Sequence, residues 1–229
     1  MAGSPELQEA LYSKEPAASI VELTMARESR FYQVLKRGTD IAVALFLLVL
    51  FLPIIPVVTI LIKLDSPGPL FFRQKRVGRN GKIFDFFKFR SMFSGAENVI
   101  GALRPLSSVD GPVFKIKDDP RVTRVGRFLR RSSLDELPQL FNVLKGDMSI
   151  VGPRPNLPSE VSQYLPWQKR RLEVTPGITC FWQIAGRSHI GFQEWMRLDL
   201  EYVRKRSYIT DLKIMFKTVP AVIARKGAY

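Results

Sequence analysis

Asp135 and Glu136 are adjacent acids in the segment SSLDELPQLFNVLKG, residues 132–146. A capping box ending at Glu136 would leave Pro138 at the fifth helical position, where its ring clashes with an upstream carbonyl. We therefore predict that the helix begins near Leu134 or Asp135, which places both carboxylates at the positive end of the helix dipole. Acids commonly stabilise a helix start in this way. An ionised aspartate in this position could also act as a carboxylate nucleophile or as a ligand for a divalent metal ion.

Basic residues on both sides of the acid pair could bind phosphate. The arginines that recur every three residues are Arg121, Arg124, Arg127 and Arg130. This spacing places them along one face of a helix, which is typical of a solvated basic surface. Phosphoryl transfer puts negative charge on equatorial oxygens, so cations are expected to line such a site. The predicted substrate-binding residues are Lys88, Arg90, Arg130, Arg154, Arg187 and Asp199. The arginines could instead pair structurally with Asp147, Asp199 or Asp211.

An apolar segment without a charged residue extends from Ile41 to Ile62. As a helix it would be roughly 33 Å long, enough to span the ~30 Å hydrocarbon core of a bilayer. Pro53 and Pro56 lie near its middle, and each lacks an amide hydrogen and crowds the carbonyl four residues back, so a strong bend is expected. Basic residues flank both ends, a pattern that favours the cytoplasm for both. Composition and spacing leave two structures open, a proline-kinked transmembrane helix and a re-entrant hairpin.

The composition limits the classes of protein to be considered. A net charge of +14 in 229 residues predicts a surface that attracts nucleic acid, acidic lipid headgroups or nucleotide phosphates. Cys180 is the single cysteine, so an internal disulfide is excluded and a reduced, cytosol-facing domain fits. The only histidine, His189, lies far in sequence from any partner pair, which argues against a histidine metal site or a Ser-His-Asp triad. The N-terminus has no early apolar run and does not read as a cleaved signal.

Short elements are expected to position these residues in an α+β domain dominated by helices. Residues 79–82 predict a tight turn between two aromatic-rich strands, and hence a small antiparallel sheet from residues 70–90, with most of its phenylalanines in the core. From Asp211, apolar residues at helical spacing are mixed with lysines, which is typical of an interfacial helix, although a core helix has a similar stripe. Residues 93–118 predict an exposed loop.

Four motifs, spread over most of the chain, resemble those of the bacterial sugar transferase family, the monotopic phosphoglycosyl transferases that start undecaprenyl-linked glycan assembly. The motifs are KRGTD, DSPGPLFFRQKRVGRNGKIFDFFKFRSM, RRSSLDELPQLFNVLKGDMSIVGPRP and TPGITCFWQIAGRS. The resemblance runs from about Lys36 to about Val222. It favours the hairpin over the crossing. It implies a re-entrant membrane helix-turn-helix at 36–64 and a cytosolic catalytic domain at 65–229. Residues 1–35 are expected to form an N-terminal arm, because the first 30 or so are polar and lie outside the resemblance.

This resemblance also implies an activity: transfer of a phosphosugar from a UDP-sugar to undecaprenyl phosphate, with release of UMP. Asp135 would be the nucleophile that forms a phosphosugar-aspartate, and Glu136 would position or deprotonate the lipid phosphate. Mg²⁺ would bridge Asp135 and the diphosphate. The enzyme would lie in the bacterial inner membrane, among membrane lipids, with its catalytic domain on the cytosolic face. Glucose or galactose is the first guess for the sugar, and a homodimer is one alternative for the oligomeric state.

A second class of function also fits the charge and the apolar segment. This is a basic membrane-anchored protein that binds acidic lipid or nucleic acid without turnover. Nucleic acid is disfavoured because aromatic residues are not interleaved with the basic ones as stacking platforms. Release of UMP from a UDP-sugar, with Asp135→Asn as a control, distinguishes the enzyme from the binding protein.

Overall fold

The computed structural model describes residues 29–107, 109–185 and 190–224. Helices dominate, and a small antiparallel sheet is present, as the sequence predicts. The helices are α1 Arg30–Phe51, α2 Ile54–Asp65, α3 Ile100–Leu103, α4 Arg124–Ser132, α5 Gln139–Lys145, α6 Pro158–Val161, α7 Pro166–Lys169, α8 Phe181–Ala185, α9 Phe192–Lys205 and α10 Tyr208–Ile223. The strands are β1 Phe71–Val77, β2 Ile83–Phe89, β3 Ser149–Val151 and β4 Gly177–Thr179. Short 3-10 turns cover Arg79–Gly81, Arg104–Leu106, Leu134–Glu136 and Arg170–Glu173.

Helices α1 and α2 form a bent pair at the apolar segment. The angle between them is 66°. In the part of the chain that the structure describes, no helix is by itself long and apolar enough to cross a membrane. The two helices together have the length and composition of a broken span or a re-entrant loop. Helix α1 begins at Arg30, so it includes the last residues of the predicted arm, whose residues 1–28 lie outside the described chain.

The two prolines account for the bend. Pro53 and Pro56 cannot donate the hydrogen bonds that the carbonyls of Val49 and Leu52 would receive in a continuous helix. Tighter bonds replace them, because Leu52 N donates to Val49 O and Ile55 N donates to Leu52 O, both at 3.3 Å. These bonds span three residues, as in a 3-10 turn, so the chain turns without leaving either carbonyl unpaired.

One face of the bent pair packs on the rest of the protein and the other is exposed. Val58 and Ile62 of α2 are buried with Phe89 and Leu129, and Ala44 of α1 joins the main core. The exposed large apolar side chains on the two helices include Leu45, Phe46, Val49, Leu50, Leu52, Ile54, Val57, Ile60, Leu61 and Leu64. An apolar surface of this extent is typical of contact with lipid or with another protein.

Strands β1 and β2 pair antiparallel, with Phe71 opposite Phe89, and the turn between them lies where the sequence predicts it. Asn80 in this turn has a φ of 54°, a left-handed conformation that asparagine tolerates better than most residues. The core prediction for the phenylalanines is only partly right, since Phe71 and Phe72 are 46% and 38% exposed. The buried phenylalanines of β2 are Phe84, Phe86 and Phe89.

A second, parallel strand pair was not expected from the sequence. Ser149 lies opposite Gly177 and Val151 lies opposite Thr179. The strands approach closely at their glycines, because a Cβ on Gly177 would lie 2.1 Å from the nitrogen of Gly152. The motifs SIVGPRP and TPGITC therefore pack directly against each other, and glycine is required at the contact.

Helix α10 has one face that packs in the core and another apolar face that is exposed, which are the two alternatives that the sequence left open. Asp211 and Ile214 are buried against the domain, with Ile214 in the main core. Phe216, Val219 and Ile223 are exposed on the same helix. One face of α10 therefore packs in the core, and the exposed apolar residues are sufficient for contact with a membrane surface.

Candidate active site

One cavity of about 360 Å³ brings the predicted acids and most of the predicted cations together. This volume lies within the range of small-molecule binding sites. Its charged lining includes Arg76, Lys88, Arg130, Asp135, Glu136 and Arg154. Its apolar lining is formed by Val109, Val113, Phe114, Trp182, Ile190 and Trp195. The cavity thus combines a charged wall with an aromatic one.

The backbone around the acids differs in detail from the prediction. Helical conformation begins at Leu134, as expected, but as a single 3-10 turn, and the α-helix starts only at Gln139. Ser133 makes no side-chain cap and has a φ of 58°, a left-handed conformation that ends α4 before this turn. Pro138 stands at the junction with α5, where a missing amide hydrogen has no cost. Asp135 is buried within the 3-10 turn.

Lys88 lies between the two carboxylates. Its Nζ donates to Asp135 Oδ2 at 3.2 Å and to Glu136 Oε1 at 2.9 Å. Arg154 Nη2 donates to the same Glu136 oxygen at 2.8 Å. Arg130 adds a further positive charge near Asp135, and its Nε is held by Ser91 Oγ at 2.9 Å. Lys88 and Arg154 thus hold the two carboxylates in place, and Arg130 adds a third cation beside Asp135.

The two acids are held in different electrostatic states. Burial raises the pKa of Asp135 above its ordinary value, and the charge of Lys88 offsets only part of this effect. Burial acts in the same direction on the pKa of Glu136, but the charges of Arg154 and Lys88 outweigh it and hold that pKa well below its usual range. Glu136 is therefore the firmly ionised member of the pair.

The arrangement is suited to a substrate that carries phosphate. Within residues 29–107, 109–185 and 190–224, the hydrogen bond to Asp135 comes from Lys88 and ends on Oδ2, which leaves Oδ1 available to a ligand. A carboxylate oxygen with cations beside it can attack phosphorus, because the cations stabilise the charge that develops on the phosphoryl oxygens. Arginine and lysine in the same wall can also hold a diphosphate before reaction.

The residues of this cavity can bind a magnesium ion only together with the phosphate groups of a substrate. Among the described residues, no group of three or more His, Cys, Asp or Glu side chains converges as a metal site. Mg²⁺ often binds through one or two carboxylates together with substrate phosphates and water, and does not need a complete protein cage. Asp135, through its available Oδ1, and Glu136 are the carboxylates that could serve in this way.

Two residues predicted to bind substrate lie elsewhere in the fold. Arg90 is buried beneath the end of α2, where its guanidinium donates to the carbonyls of Ile62, Ser66 and Pro67. Asp199 is fully buried and pairs with Arg171. Arg187 and His189 lie outside the described residues. Of the remaining predicted cations, Lys88, Arg130 and Arg154 line the cavity.

Several residues of the cavity were not predicted from the sequence. Arg76 and Glu160 line it and form a weak ion pair at 3.9 Å. Lys115, from the loop predicted to be merely exposed, also reaches the lining. The signal that the sequence offered for Arg76 is strand alternation, which places it on the face of β1 opposite Arg73 and Lys75. Glu160 and Lys115 carried no comparable signal.

A family profile and individual relatives both match this chain over most of its length. The profile of the bacterial sugar transferase family matches residues 31–225. Galactosyl transferase CpsE of Streptococcus agalactiae is 49% identical over 162 residues, which cover 70% of this chain and 36% of that protein. The undecaprenyl-phosphate galactose phosphotransferase of Salmonella typhimurium is 42% identical over 207 residues, or 89% of this chain and 43% of that protein.

A shorter relative is matched over most of both chains. Exopolysaccharide production protein ExoY of Rhizobium meliloti is 38% identical over 201 residues, which cover 85% of this chain and 88% of that protein. In contrast, the chain spans less than half the length of the galactosyl transferase and of the galactose phosphotransferase. The family profile nevertheless covers nearly all of the described residues. The chain therefore belongs to the bacterial sugar transferase family.

Proposed function

We propose that this protein is a phosphoglycosyl transferase that moves a phosphosugar from a UDP-sugar to undecaprenyl phosphate. The observation that carries the proposal is Asp135, buried in a cavity beside Lys88 and Arg130 with one carboxylate oxygen available. Relatives named as undecaprenyl-phosphate galactose and glucose phosphotransferases support the choice of substrates. Those names also keep galactose and glucose as the first sugars to test. The reaction would initiate exopolysaccharide or another glycoconjugate, as the name of ExoY suggests for that relative.

In the first half of the reaction, Asp135 Oδ1 attacks the sugar-proximal phosphorus of the UDP-sugar. The bond from this phosphorus to the bridging oxygen breaks, and UMP leaves with that oxygen and its electron pair. The product is an acyl phosphate in which the sugar phosphate is bonded to Asp135. Lys88, Arg130 and Arg154 line the cavity and would stabilise the charge on the phosphoryl oxygens.

In the second half, an oxygen of undecaprenyl phosphate attacks the same phosphorus. The Asp135 oxygen leaves as a carboxylate, and the sugar remains on a lipid-linked diphosphate. Arg154 and Lys88 keep Glu136 ionised and lower its pKa, which makes it a weak proton acceptor. The role that fits is positioning: Glu136 holds these two cations where they orient the incoming phosphate. Division into two steps allows a soluble and a lipid substrate to use the cavity in turn.

A magnesium ion would fit this chemistry and would be held by the carboxylates of the cavity. It would supply positive charge that neutralises the diphosphate. Asp135, with Glu136 beside it, would hold the ion, while the arginines and Lys88 orient the phosphates from the cavity wall.

The bent pair of α1 and α2 is proposed as a re-entrant membrane hairpin. Its support is the 66° bend and the apolar side chains on its outer face. The exposed Phe216 and Val219 of α10 would contact the same membrane from the domain. A hairpin keeps both flanks on the cytosolic face of the inner membrane, where the cavity meets UDP-sugar from water and the carrier from lipid. Membrane lipids are thus expected partners, and nucleic acid is not.

The experiment is release of UMP by the purified full chain in detergent or nanodiscs with Mg²⁺. UDP-glucose, UDP-galactose and N-acetylated UDP-sugars are supplied in turn with undecaprenyl phosphate. Wild-type turnover, its loss in Asp135→Asn and a phosphosugar adduct on Asp135 by mass analysis are the expected results. Inactivity of the wild type with every UDP-sugar would contradict the proposed transfer. Product formation with an unmodified Asp135 would contradict the covalent mechanism.

A further inference from the structure

Helix α1 presents a row of polar side chains to the catalytic domain. Tyr32, Lys36 and Asp40 are spaced four residues apart, so they lie on one face of the helix. Asp40 Oδ1 accepts hydrogen bonds from Ile150 N at 2.9 Å and from Ser149 Oγ at 3.0 Å. The first hairpin helix is therefore bound to strand β3 by specific polar contacts as well as by apolar packing.

Lys36 extends this contact to the next residue of β3. Its Nζ donates to Val151 O at 2.9 Å and to Asp211 Oδ2 at 2.8 Å, and it lies 3.3 Å from Tyr202 Oη. The side chains of Lys36 and Asp211 are only 16% and 4% exposed. Burying two charges is unfavourable unless their geometry is well satisfied, and apolar residues could fill the same space more cheaply. Such a pair suggests a need for a defined position.

The residue held by Lys36 leads directly into the cavity wall. Val151 is followed by Gly152, Pro153 and Arg154. Gly152 N donates to Thr179 O at 2.9 Å, and a Cβ on Gly152 would lie 2.3 Å from Thr175 O, so this part of the chain is tightly packed and cannot absorb a displacement by bending. Arg154 then reaches Glu136 at 2.8 Å. A displacement at Val151 is therefore expected to move the guanidinium of Arg154.

A second contact from the same helix reaches the element on the other side of the acids. Arg37 donates to Val143 O at 2.5 Å and to Leu144 O at 2.7 Å, at the C-terminal end of α5. The N-terminal end of α5 follows Glu136 after two residues. One turn of α1 thus contacts both elements between which the Glu136–Arg154 pair is formed.

We propose that Lys36 is a positioning residue that sets the contact between Arg154 and Glu136, so that seating of the membrane hairpin is coupled to catalysis. The inference rests on the proposed function for its kinetic readout. Lys36 is not among the described residues that line the cavity, and it acts through Val151 and the backbone that follows it. The seating of α1 in the membrane then becomes a condition for an aligned active site.

The test is a double-mutant cycle of Lys36→Met and Arg154→Gln, in nanodiscs with Mg²⁺ and the UDP-sugar that turns over. Lys36→Met is expected to lower kcat by about 10-fold to 100-fold, as misplacement of a catalytic group by about an ångström does, with little change in the KM for UDP-sugar. If Lys36 acts through Arg154, the double variant is no slower than Arg154→Gln alone. Losses that multiply would overturn the proposal. Lys36→Arg, which keeps the charge, should restore much of the activity.

Lys205→Met is the matched control, because Lys205 forms an ion pair with Glu201 at 2.6 Å that is exposed. It should leave kcat unchanged. Should Lys36→Met fail to fold, Asp211→Asn takes its place in the cycle, since it removes the carboxylate that fixes Lys36 Nζ with a smaller change in shape.

A second readout does not depend on turnover. Amide exchange of residues 149–156 should accelerate in Lys36→Met and not in Lys205→Met, because Lys36 and Asp40 fix this segment. Unchanged exchange would overturn the proposal even if no UDP-sugar is turned over. An inactive wild type with accelerated exchange would instead count against the proposed function alone.

Discussion

Arg171 and Asp199 form an ion pair that solvent does not reach: Nη2 lies 2.6 Å from Oδ2, and the side chains are 1% and 0% exposed. Arg171 Nη2 also donates to Arg154 O at 2.7 Å, and its Nη1 donates to Asn156 Oδ1. Asp199 therefore supports, through Arg171, the loop that carries Arg154. Asp199 is not one of the described residues that line the cavity.

Asp199→Asn should reduce stability much more than it reduces substrate affinity. The change leaves the Arg171 guanidinium buried without its counter-ion, which commonly costs about 3–5 kcal/mol of unfolding free energy. Denaturant unfolding in detergent micelles measures this loss. Glu194→Gln is the control, because Glu194 pairs with Arg197 at 3.7 Å with both side chains about half exposed, and such pairs contribute about 0–1 kcal/mol. A large rise in KM at unchanged stability would return Asp199 to the substrate site.

The two adjacent acids should separate the two half-reactions. Asp135→Asn replaces the attacking carboxylate by a neutral amide, so neither a burst of UMP nor lipid product is expected. Glu136→Gln keeps the nucleophile and should preserve a stoichiometric burst of UMP without acceptor, while transfer to undecaprenyl phosphate slows by about 100-fold, as is common when the attacking group is misplaced. Rapid-quench measurements with and without the carrier distinguish these cases. Equal loss of both half-reactions in Glu136→Gln would contradict the assignment.

The raised pKa of Asp135 predicts an acid limb in the pH profile. The carboxyl must be ionised to attack, so kcat/KM should fall as pH is lowered through a value above the ordinary 3.8 of aspartate. Lys88→Met removes the charge that lowers this pKa, so the limb should move to higher pH. Lys82→Met, a change on the exposed turn between β1 and β2, is the control. An acid limb that stays in place in Lys88→Met would contradict this electrostatic relationship.

Stability should respond to pH in the opposite sense. Because the pKa of Asp135 is higher in the folded than in the unfolded chain, the folded state binds its proton more tightly. The resulting stabilisation is complete below the unfolded pKa and is lost as pH rises through the folded one. Asp135→Asn should therefore flatten the change in unfolding free energy over this window and should be more stable than the wild type above it. A wild type and a variant with parallel curves would contradict the assignment.

The sequence predicts the larger elements well because their signals are local. Pro53 and Pro56 specify the bend, and the turn at Asn80 specifies the antiparallel hairpin, in each case through neighbouring residues. The acid pair and the cations Lys88 and Arg154 could also be proposed from motifs alone. Their meeting in one cavity depends on long-range packing, which a single sequence does not display.

Residues with two chemically reasonable partners could not be placed from the sequence. A phosphate and a helix C-terminus both attract a guanidinium, and Arg90 binds the carbonyls at the end of α2. The parallel pair of β3 and β4 escaped notice because each strand has only three residues, too few for a periodic pattern. Lys36 binds Val151, which is more than a hundred residues away in the sequence. Arg171 binds Asp199, which is nearly thirty residues away. The roles of both residues therefore depend on contacts that neighbouring residues do not indicate.

The hairpin is tested by labelling an engineered cysteine, since Cys180 is 0% exposed and should not react. In sealed inverted vesicles, a membrane-impermeant maleimide should modify Arg30→Cys as rapidly as Lys82→Cys on the catalytic domain, because a re-entrant loop keeps both on the cytosolic face. Replacing Pro53 and Pro56 by alanine restores both lost hydrogen bonds and should straighten the segment, so that the cysteine at position 30 becomes protected. Protection of position 30 with both prolines present would mean that the segment crosses the membrane.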